Sequence, residues 1–272
     1  AFAKHLASLA DIYVNDAFGT AHRAHASTAG IAAFLPAVCG FLIEKEITVM
    51  GKAMEAPEHP FVAILGGAKV DEKLGLIERL LMEHCDTVLI LGGMSYTFQK
   101  AAGGSIGDSL CNDAMLETVS GLEEKARQVG SRLLLPEDNI VADRFANDAN
   151  TMCVPSGQIP DGWMGMDIGP RTIEKYTAII EQARTVVWNG PAGVFEMPKF
   201  AVGTRAIATA VANSKGVSII GGVDSAAAVD QLGFARKVTH ISTGGGAPWN
   251  SCREWSCPAS PAWKMRTEER NL

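Results

Sequence analysis

The stretch FVAILGGAKVDEKLGLIERLL, residues 61–81, changes period at its middle. It opens on a short, continuous apolar run, the pattern of a strand buried on both faces. From residue 71 the apolar positions fall three and four apart, the pattern of an amphipathic helix. Two glycines, Gly66 and Gly67, mark the joint. A buried strand turning through glycines into a helix is half of a parallel β-α-β unit.

The same half-unit recurs along the chain. Strands are predicted at 86–91, 132–135, 185–189, 217–220 and 239–242, with helices over 71–84, 112–130, 171–183, 202–214 and 224–234. This alternation predicts an α/β fold: a three-layer, doubly wound, mostly parallel sheet with helices on both faces. Residues 1–50 read as a separate piece, with one strand-like run, DIYVNDAF, and a helix from Gly40 to Lys52. Residues 53–60, AMEAPEHP, form the connector.

The glycines repeat at one place in each unit. ILGG, ILGGM, WNGPAG, IIGG and STGGGA each follow a strand. In an open parallel sheet the carboxyl ends of the strands share one edge, and ligands bind in the crevice outside it. Glycine can simply cap a tight strand–helix turn, and that alternative stays open for any single turn. Five such turns on one edge point to backbone closely approaching a ligand. Neither G-x-x-x-x-G-K-[ST] nor G-x-G-x-x-G after a strand is present, which argues against a Walker-type NTPase and a dinucleotide dehydrogenase.

Lys69 and Lys73 lie four apart at a helix start, where the helix dipole disfavours cations. A phosphate between them would resolve the conflict; Asp71 and Glu72 offset some of the charge and supply the plainer explanation. Asp224, after a strand-end IIGGV, either caps a helix or, beside a phosphate, holds Mg²⁺. His22 and His25, three apart, read from their spacing as ordinary surface histidines or, more remotely, as a bare metal-ligand pair.

Composition narrows the classes further. The 272 residues are 47% hydrophobic and 20% charged, enough for a sizeable core. A net charge of -6 with pI near 5.6 argues against nucleic-acid or anionic-membrane surfaces. Six cysteines without a C-x-x-C pair suggest a reduced, cytoplasmic protein and no zinc site. No run reaches membrane-span length and no signal peptide is visible.

YVNDAFGTAHRAHAS (13–27), AILGGAKVDEKLGLI (63–77), LILGGMSYTF (89–98), DIGPRTI (167–173), WNGPAGVFE (188–196), IIGGVDSAAA (219–228) and HISTGGGA (240–247) resemble, in order, the blocks of phosphoglycerate kinases. The resemblance covers nearly all of Ala1 to Ala247. It implies phosphoryl transfer between ATP and 3-phosphoglycerate, with ATP/ADP and Mg²⁺ on a Rossmann-like C-terminal domain. Residues 51–247 would be that domain. Residues 1–50 would be the remnant of a second, similar domain that binds phosphoglycerate, together with the interdomain helix. Small-molecule substrates, no nucleic acid, no membrane and a monomeric state follow from the same resemblance.

Carried over by position, Lys69 would contact the moving phosphoryl group, and Gly244 and Gly245 would present N–H groups to it. Lys73 would hold the nucleotide phosphates. Gly66, Gly67, Gly92, Gly93, Asn189, Pro191, Gly193 and Val194 would shape the nucleotide site, with Glu196 on the ribose. Gly222, Val223, Asp224 and Ser225 would form its last turn, and Asp224 would position Mg²⁺. His22 and Arg23 would belong to the phosphoglycerate patch.

Three departures accompany the match. The chain opens inside an amphipathic pattern without Met, so Ala1 reads as an internal start and most of the preceding domain as absent. Val223 stands where the family has a glycine; if that position demands positive φ or close backbone approach, valine costs roughly 1–3 kcal/mol and would crowd the phosphates. Residues 248–272 hold a pattern-free run of Trp, Cys and Pro, expected to be disordered. Restoring one nucleotide before Pro248 lets permitted codons read SLEFLPGMVLPGVACLED, a family-like continuation, so the tail reads as out of frame.

Overall fold

A computed structural model describes residues 1–21, 23–82 and 85–244, without the side chains of 52–55. Expectations for Glu83, His84 and the 248–272 tail fall outside the described residues. The chain divides into two compact units, Ala1–Ala56 with the residues from Ser242 onward, and Pro57–Ile241.

The first unit holds α1 (Phe2–Ala7), β1 (Tyr13–Asn15), β2 (Ala37–Cys39) and α2 (Phe41–Glu55). β1 and β2 pair in parallel, with Val14 opposite Val38. α2 has no cap of its own. Asp16 supplies one from 27 residues away, its Oδ1 accepting the Ile43 N–H at 3.0 Å. α2 extends beyond the predicted helix, to Glu55, and shortens the connector; its buried stripe contains Ile43, Glu46 and Met50.

The second unit begins with β3 (Phe61–Leu65), α3 (Val70–Met82), β4 (Thr87–Ile90), α4 (Met94–Ala101), β5 (Ser105–Ile106), α5 (Leu116–Ser120), α6 (Leu122–Gln128) and β6 (Arg132–Leu134). It continues through β7 (Asp138–Ala142), β8 (Thr151–Pro155), β9 (Gln158–Ile159), β10 (Met164–Ile168), α7 (Pro170–Gln182) and β11 (Thr185–Asn189). α8 (Val202–Asn213), β12 (Val217–Gly221), α9 (Val223–Gln231) and β13 (His240–Ile241) complete it.

Its main sheet runs β13-β12-β11-β3-β4-β6, every pair parallel. The chain starts at the centre, walks to one edge through β4 and β6, then returns to the other side of β3. The switch point therefore lies between β3 and β11, where Leu65 pairs with Asn189. Both strands are buried at every residue, as a sheet covered on two faces requires. Trp188 and Tyr176 anchor one layer of the core. The Tyr176 hydroxyl donates to the Leu134 carbonyl at 2.9 Å, tying α7 to the sheet.

The six predicted strands are present, with no end moved by more than one residue. The helix expected over 112–130 is interrupted instead, because Gly121 separates α5 from α6 and a 3-10 turn at Asp113–Met115 precedes them. Elements not foreseen include α4, the strand β2 beside β1, the parallel pair β5–β9 and an antiparallel sheet of order β10-β7-β8. No helix among the described residues is long and apolar enough to cross a membrane.

Candidate functional site

At the switch point three glycine turns lock together through their backbones. The Gly66 N–H donates to the Asn189 carbonyl at 2.9 Å, Gly67 N–H to the Pro191 carbonyl at 3.0 Å, and Gly92 N–H to the Ala192 carbonyl at 3.1 Å. A Cβ on Gly66 would sit 2.2 Å from the Pro191 oxygen, and one on Gly92 2.5 Å from the Gly67 nitrogen. Glycine is demanded here first by backbone packing on backbone. Gly93 starts α4 against the Ala68 backbone. Gly193 packs on the Asp167 carboxylate, and the Val194 N–H donates to the Met166 carbonyl at 2.9 Å.

Lys73, half-buried in the first turns of α3, donates through Nζ to the Asn189 Oδ1 at the end of β11. Burial lowers its pKa to about 8, against the raising effect of the Glu72 and Asp224 charges. Asn189 is itself 1% exposed, and its Nδ2 has no hydrogen-bond partner among the described residues. An unpaired buried amide costs about 1–3 kcal/mol unless something accepts its proton. Lys69 behaves differently. It is exposed and ion-paired with Glu72 at 2.7 Å, away from the Asn189 amide that Lys73 engages.

α9 starts beside this group. Gly222 takes φ +88, and a Cβ there would lie 2.9 Å from Asn189 Oδ1. Val223 is already the first helical residue and is 79% exposed, so the strain expected of it is absent: the positive φ falls one residue earlier. Asp224 follows in the first turn, exposed. Ser225 is fully buried and accepts the Gly190 N–H at 2.6 Å, pinning α9 to the β11 turn. Among the described residues no side chain caps α9, so its first N–H groups have no side-chain acceptor.

A cavity of about 400 Å³ lies alongside, lined by Phe195, Glu196, Thr204, Arg205, Ala228 and Leu232 among others. Glu196 is exposed at its rim. Apolar walls with a carboxylate and a guanidinium suit a flat heterocycle attached to a polar sugar.

In the first unit Arg23 is exposed and its carbonyl accepts the Thr28 hydroxyl at 2.7 Å. Gly244 is buried, and its N–H donates to the Ser242 hydroxyl at 3.2 Å. His22 and Gly245 lie outside the described residues. Sequence reading missed Glu46: buried on α2, its Oε1 accepts the Thr243 N–H at 2.7 Å and hydroxyl at 2.9 Å. A glutamate on the apolar stripe of α2 was the available signal. Asp167 and Thr204 were missed too.

The phosphoglycerate kinase family model matches residues 1–251. The chain belongs to the phosphoglycerate kinase family. It is 56% identical over 247 residues to the phosphoglycerate kinase of Clostridium tetani, covering 90% of this chain and 61% of that protein. It is also 56% identical over 250 residues to the cytosolic phosphoglycerate kinase of Nicotiana tabacum, covering 90% and 62%. A solved phosphoglycerate kinase from Coxiella burnetii superimposes with TM-score 0.88 at 42% identity, over 98% of this chain and 68% of that one. The chain thus spans a little over three-fifths of the length of the curated relatives it matches.

Proposed function

We propose that the second unit binds a Mg-nucleotide, and that this chain supplies the nucleotide half of an enzyme passing a phosphoryl group between ATP and 3-phosphoglycerate in glycolysis or gluconeogenesis. The observation that carries the reading is the half-buried Lys73 beside the unpaired Asn189 amide at the switch point. Both groups call for an anion there. The 400 Å³ cavity would take the base and ribose, with Glu196 toward the ribose hydroxyls. Gly66, Gly67, Gly92 and Gly93 shape the floor between the cavity and the phosphates.

Among the described residues no three His, Cys, Asp or Glu side chains converge on one metal position. The donor set still fits Mg²⁺, which is commonly held by one or two carboxylates plus substrate phosphates and water; Asp224 would be that carboxylate. When bound, the ion would neutralise charge on the transferring group. Lys73 orients the phosphates, and the α9 amides receive negative charge that builds on them. Phosphoryl transfer asks the protein for positioning and charge stabilisation, so no nucleophilic side chain is needed. Lys69 and the Gly244 and Gly245 amides are assigned to the moving phosphoryl group, and His22 and Arg23 to the phosphoglycerate. The same reading makes the protein a cytoplasmic monomer acting on small molecules.

The test is a titration of the 272-residue chain with MgADP beside a coupled assay with ATP and 3-phosphoglycerate. Lys73→Met should weaken MgADP binding by about 10- to 100-fold, the value of a hydrogen bond to a charged group. Wild-type affinity should fall as pH rises through about 8, where Lys73 loses its proton, while Lys73→Arg stays flat. Binding without turnover would select a non-catalytic nucleotide module. Absence of binding would remove both readings.

A further inference from the structure

Asp167 is 2% exposed at the end of β10, and no role in the chemistry above falls to it. Its Oδ2 accepts the Gly203 N–H at 2.8 Å, in the first turn of α8, and its Oδ1 accepts the adjacent Ile168 N–H at 2.9 Å. The carboxylate is wedged between two glycines from different segments. A Cβ would lie 2.3 Å from Oδ1 at Gly203 and 2.4 Å at Gly193. The next residue of α8, Thr204, uses its hydroxyl oxygen to accept the Ala192 N–H at 3.0 Å and the Gly193 N–H at 3.4 Å.

These contacts close a circuit. Asp167 fixes the start of α8; α8 fixes the turn after β11 through Thr204; and the turn presses back on Asp167 through Gly193. Thr204 and Arg205 from the helix, and Phe195 and Glu196 from the turn, line the same cavity. One buried carboxylate therefore sets the spacing of two elements that must grip the same ligand.

We propose that ionised Asp167 is a positioning residue for the cavity, holding the Ala192–Glu196 turn against α8, so that a nucleoside diphosphate binds better as this carboxylate ionises. The inference rests on the nucleotide reading of the cavity. Burial pushes the Asp167 pKa up to about 7, against the lowering effect of N–H donors from Gly203, Ile168 and Val202. Among the described residues no ion pair reaches it. The titratable group facing it is Tyr96 of α4, whose phenol is raised by burial and further by the Asp167 charge. Asp167 is thus the group that changes charge near neutrality at this junction.

MgADP titrations of wild type, Asp167→Asn, Thr204→Val and Thr204→Ser from pH 6 to 8 test it, with hydrogen exchange of the 192–196 segment read alongside. At pH 8 Asp167→Asn should bind about 10-fold more weakly than wild type, the size of one charge-assisted hydrogen bond. That ratio should close toward one at pH 6, where wild type is protonated; the ligand's own titration cancels between the proteins. Thr204→Val should weaken binding, and Thr204→Ser should restore it. A wild-type to Asp167→Asn ratio that stays constant from pH 6 to 8 overturns the proposal. If wild type binds no MgADP, the nucleotide reading fails, and exchange decides the rest. Faster exchange of 192–196 in Asp167→Asn at pH 8 supports the positioning role, and unchanged exchange overturns it. Should Asp167→Asn not fold, the threonine pair carries the test: fast exchange in Thr204→Val with slow exchange in Thr204→Ser supports the proposal, and equal exchange overturns it.

Discussion

Asp138 and Asp167 do one job in two places and titrate in opposite directions. Each is a buried carboxylate at the start or end of an antiparallel strand, capping a helix that has no cap of its own. Asp138 serves α7 from 34 residues away. It accepts the Thr172 N–H at 2.9 Å, the Thr172 hydroxyl at 2.7 Å and the Arg171 N–H at 3.0 Å. Burial pushes its pKa up, but these donors outweigh burial and the net shift is downward. Asp167 serves α8 through backbone N–H donors alone, without the hydroxyl that Asp138 receives from Thr172, and burial wins. What decides the sign is the balance between burial, which raises both, and the donors aimed at each carboxylate, among which only Asp138 has a side-chain hydroxyl.

The two should therefore leave opposite marks on stability. A raised folded pKa stabilises below the unfolded value and loses that contribution as pH climbs through the folded one. For Asp167 the window is about pH 4 to about 7. Relative to Asp167→Asn, wild-type unfolding free energy should fall by about 1.4 kcal/mol per pH unit across it, of order 4 kcal/mol in all. Urea unfolding series at several pH values measure this, and parallel curves would end the contrast. Asp138 has a depressed pKa, so its contribution is present above the unfolded value near 4 and disappears as pH falls further. Asp138→Ala should cost on the order of 3 kcal/mol at pH 7, because it strands the first donors of α7. A loss no larger than a surface substitution would deny Asp138 its role.

Two glycines sharpen the comparison. Gly169→Ala would drive a methyl to 2.3 Å from the Asp138 carboxyl carbon, and Gly203→Ala to 2.3 Å from Asp167 Oδ1. Each should cost about 2 kcal/mol by overpacking. Only Gly203→Ala should also flatten the slope between pH 4 and 7, and equal pH profiles for the two would break the pairing. The smallest effect belongs to Thr172→Val. Removing one hydroxyl donor should cost about 1 kcal/mol and move the acid limb to higher pH, toward the behaviour of Asp167. Acid unfolding followed by circular dichroism reads the shift, and an unmoved limb would show that the backbone donors alone suffice.

The main sheet was legible because its strands are short apolar runs such as FVAIL and TVVWN, each closed by glycine. The antiparallel sheet was hidden for the opposite reason. β8 alternates exposed and half-buried residues through TMCVP, a weak signal that ends on proline. α4 carries MSYTFQKA, whose serine, threonine and glutamine look like a loop and are buried all the same, with Gln99 exchanging hydrogen bonds with Asn139. The glycine turns were legible as strand-end punctuation, but much of their glycine content answers to each other's backbones. Capping by Asp138 and Asp167 had no local trace, since donor and acceptor are more than thirty residues apart. Lys69 and Lys73 looked equivalent by spacing; only tertiary packing gives one a buried amide and the other a surface glutamate.

The interlocked turns also carry a consequence for assembly. Leu65 and Asn189 meet across more than a hundred residues of chain, and the Gly66–Asn189 and Gly92–Ala192 bonds close only after β11 has docked beside β3. Loops that long close late, after the local β-α-β units have formed. Neither half of the sheet can therefore own a partial site. The edge that would receive a ligand comes into existence in one step with the completed sheet, so occupancy of that edge would be a signature of finished folding, and a ligand there would pull the last step forward by mass action.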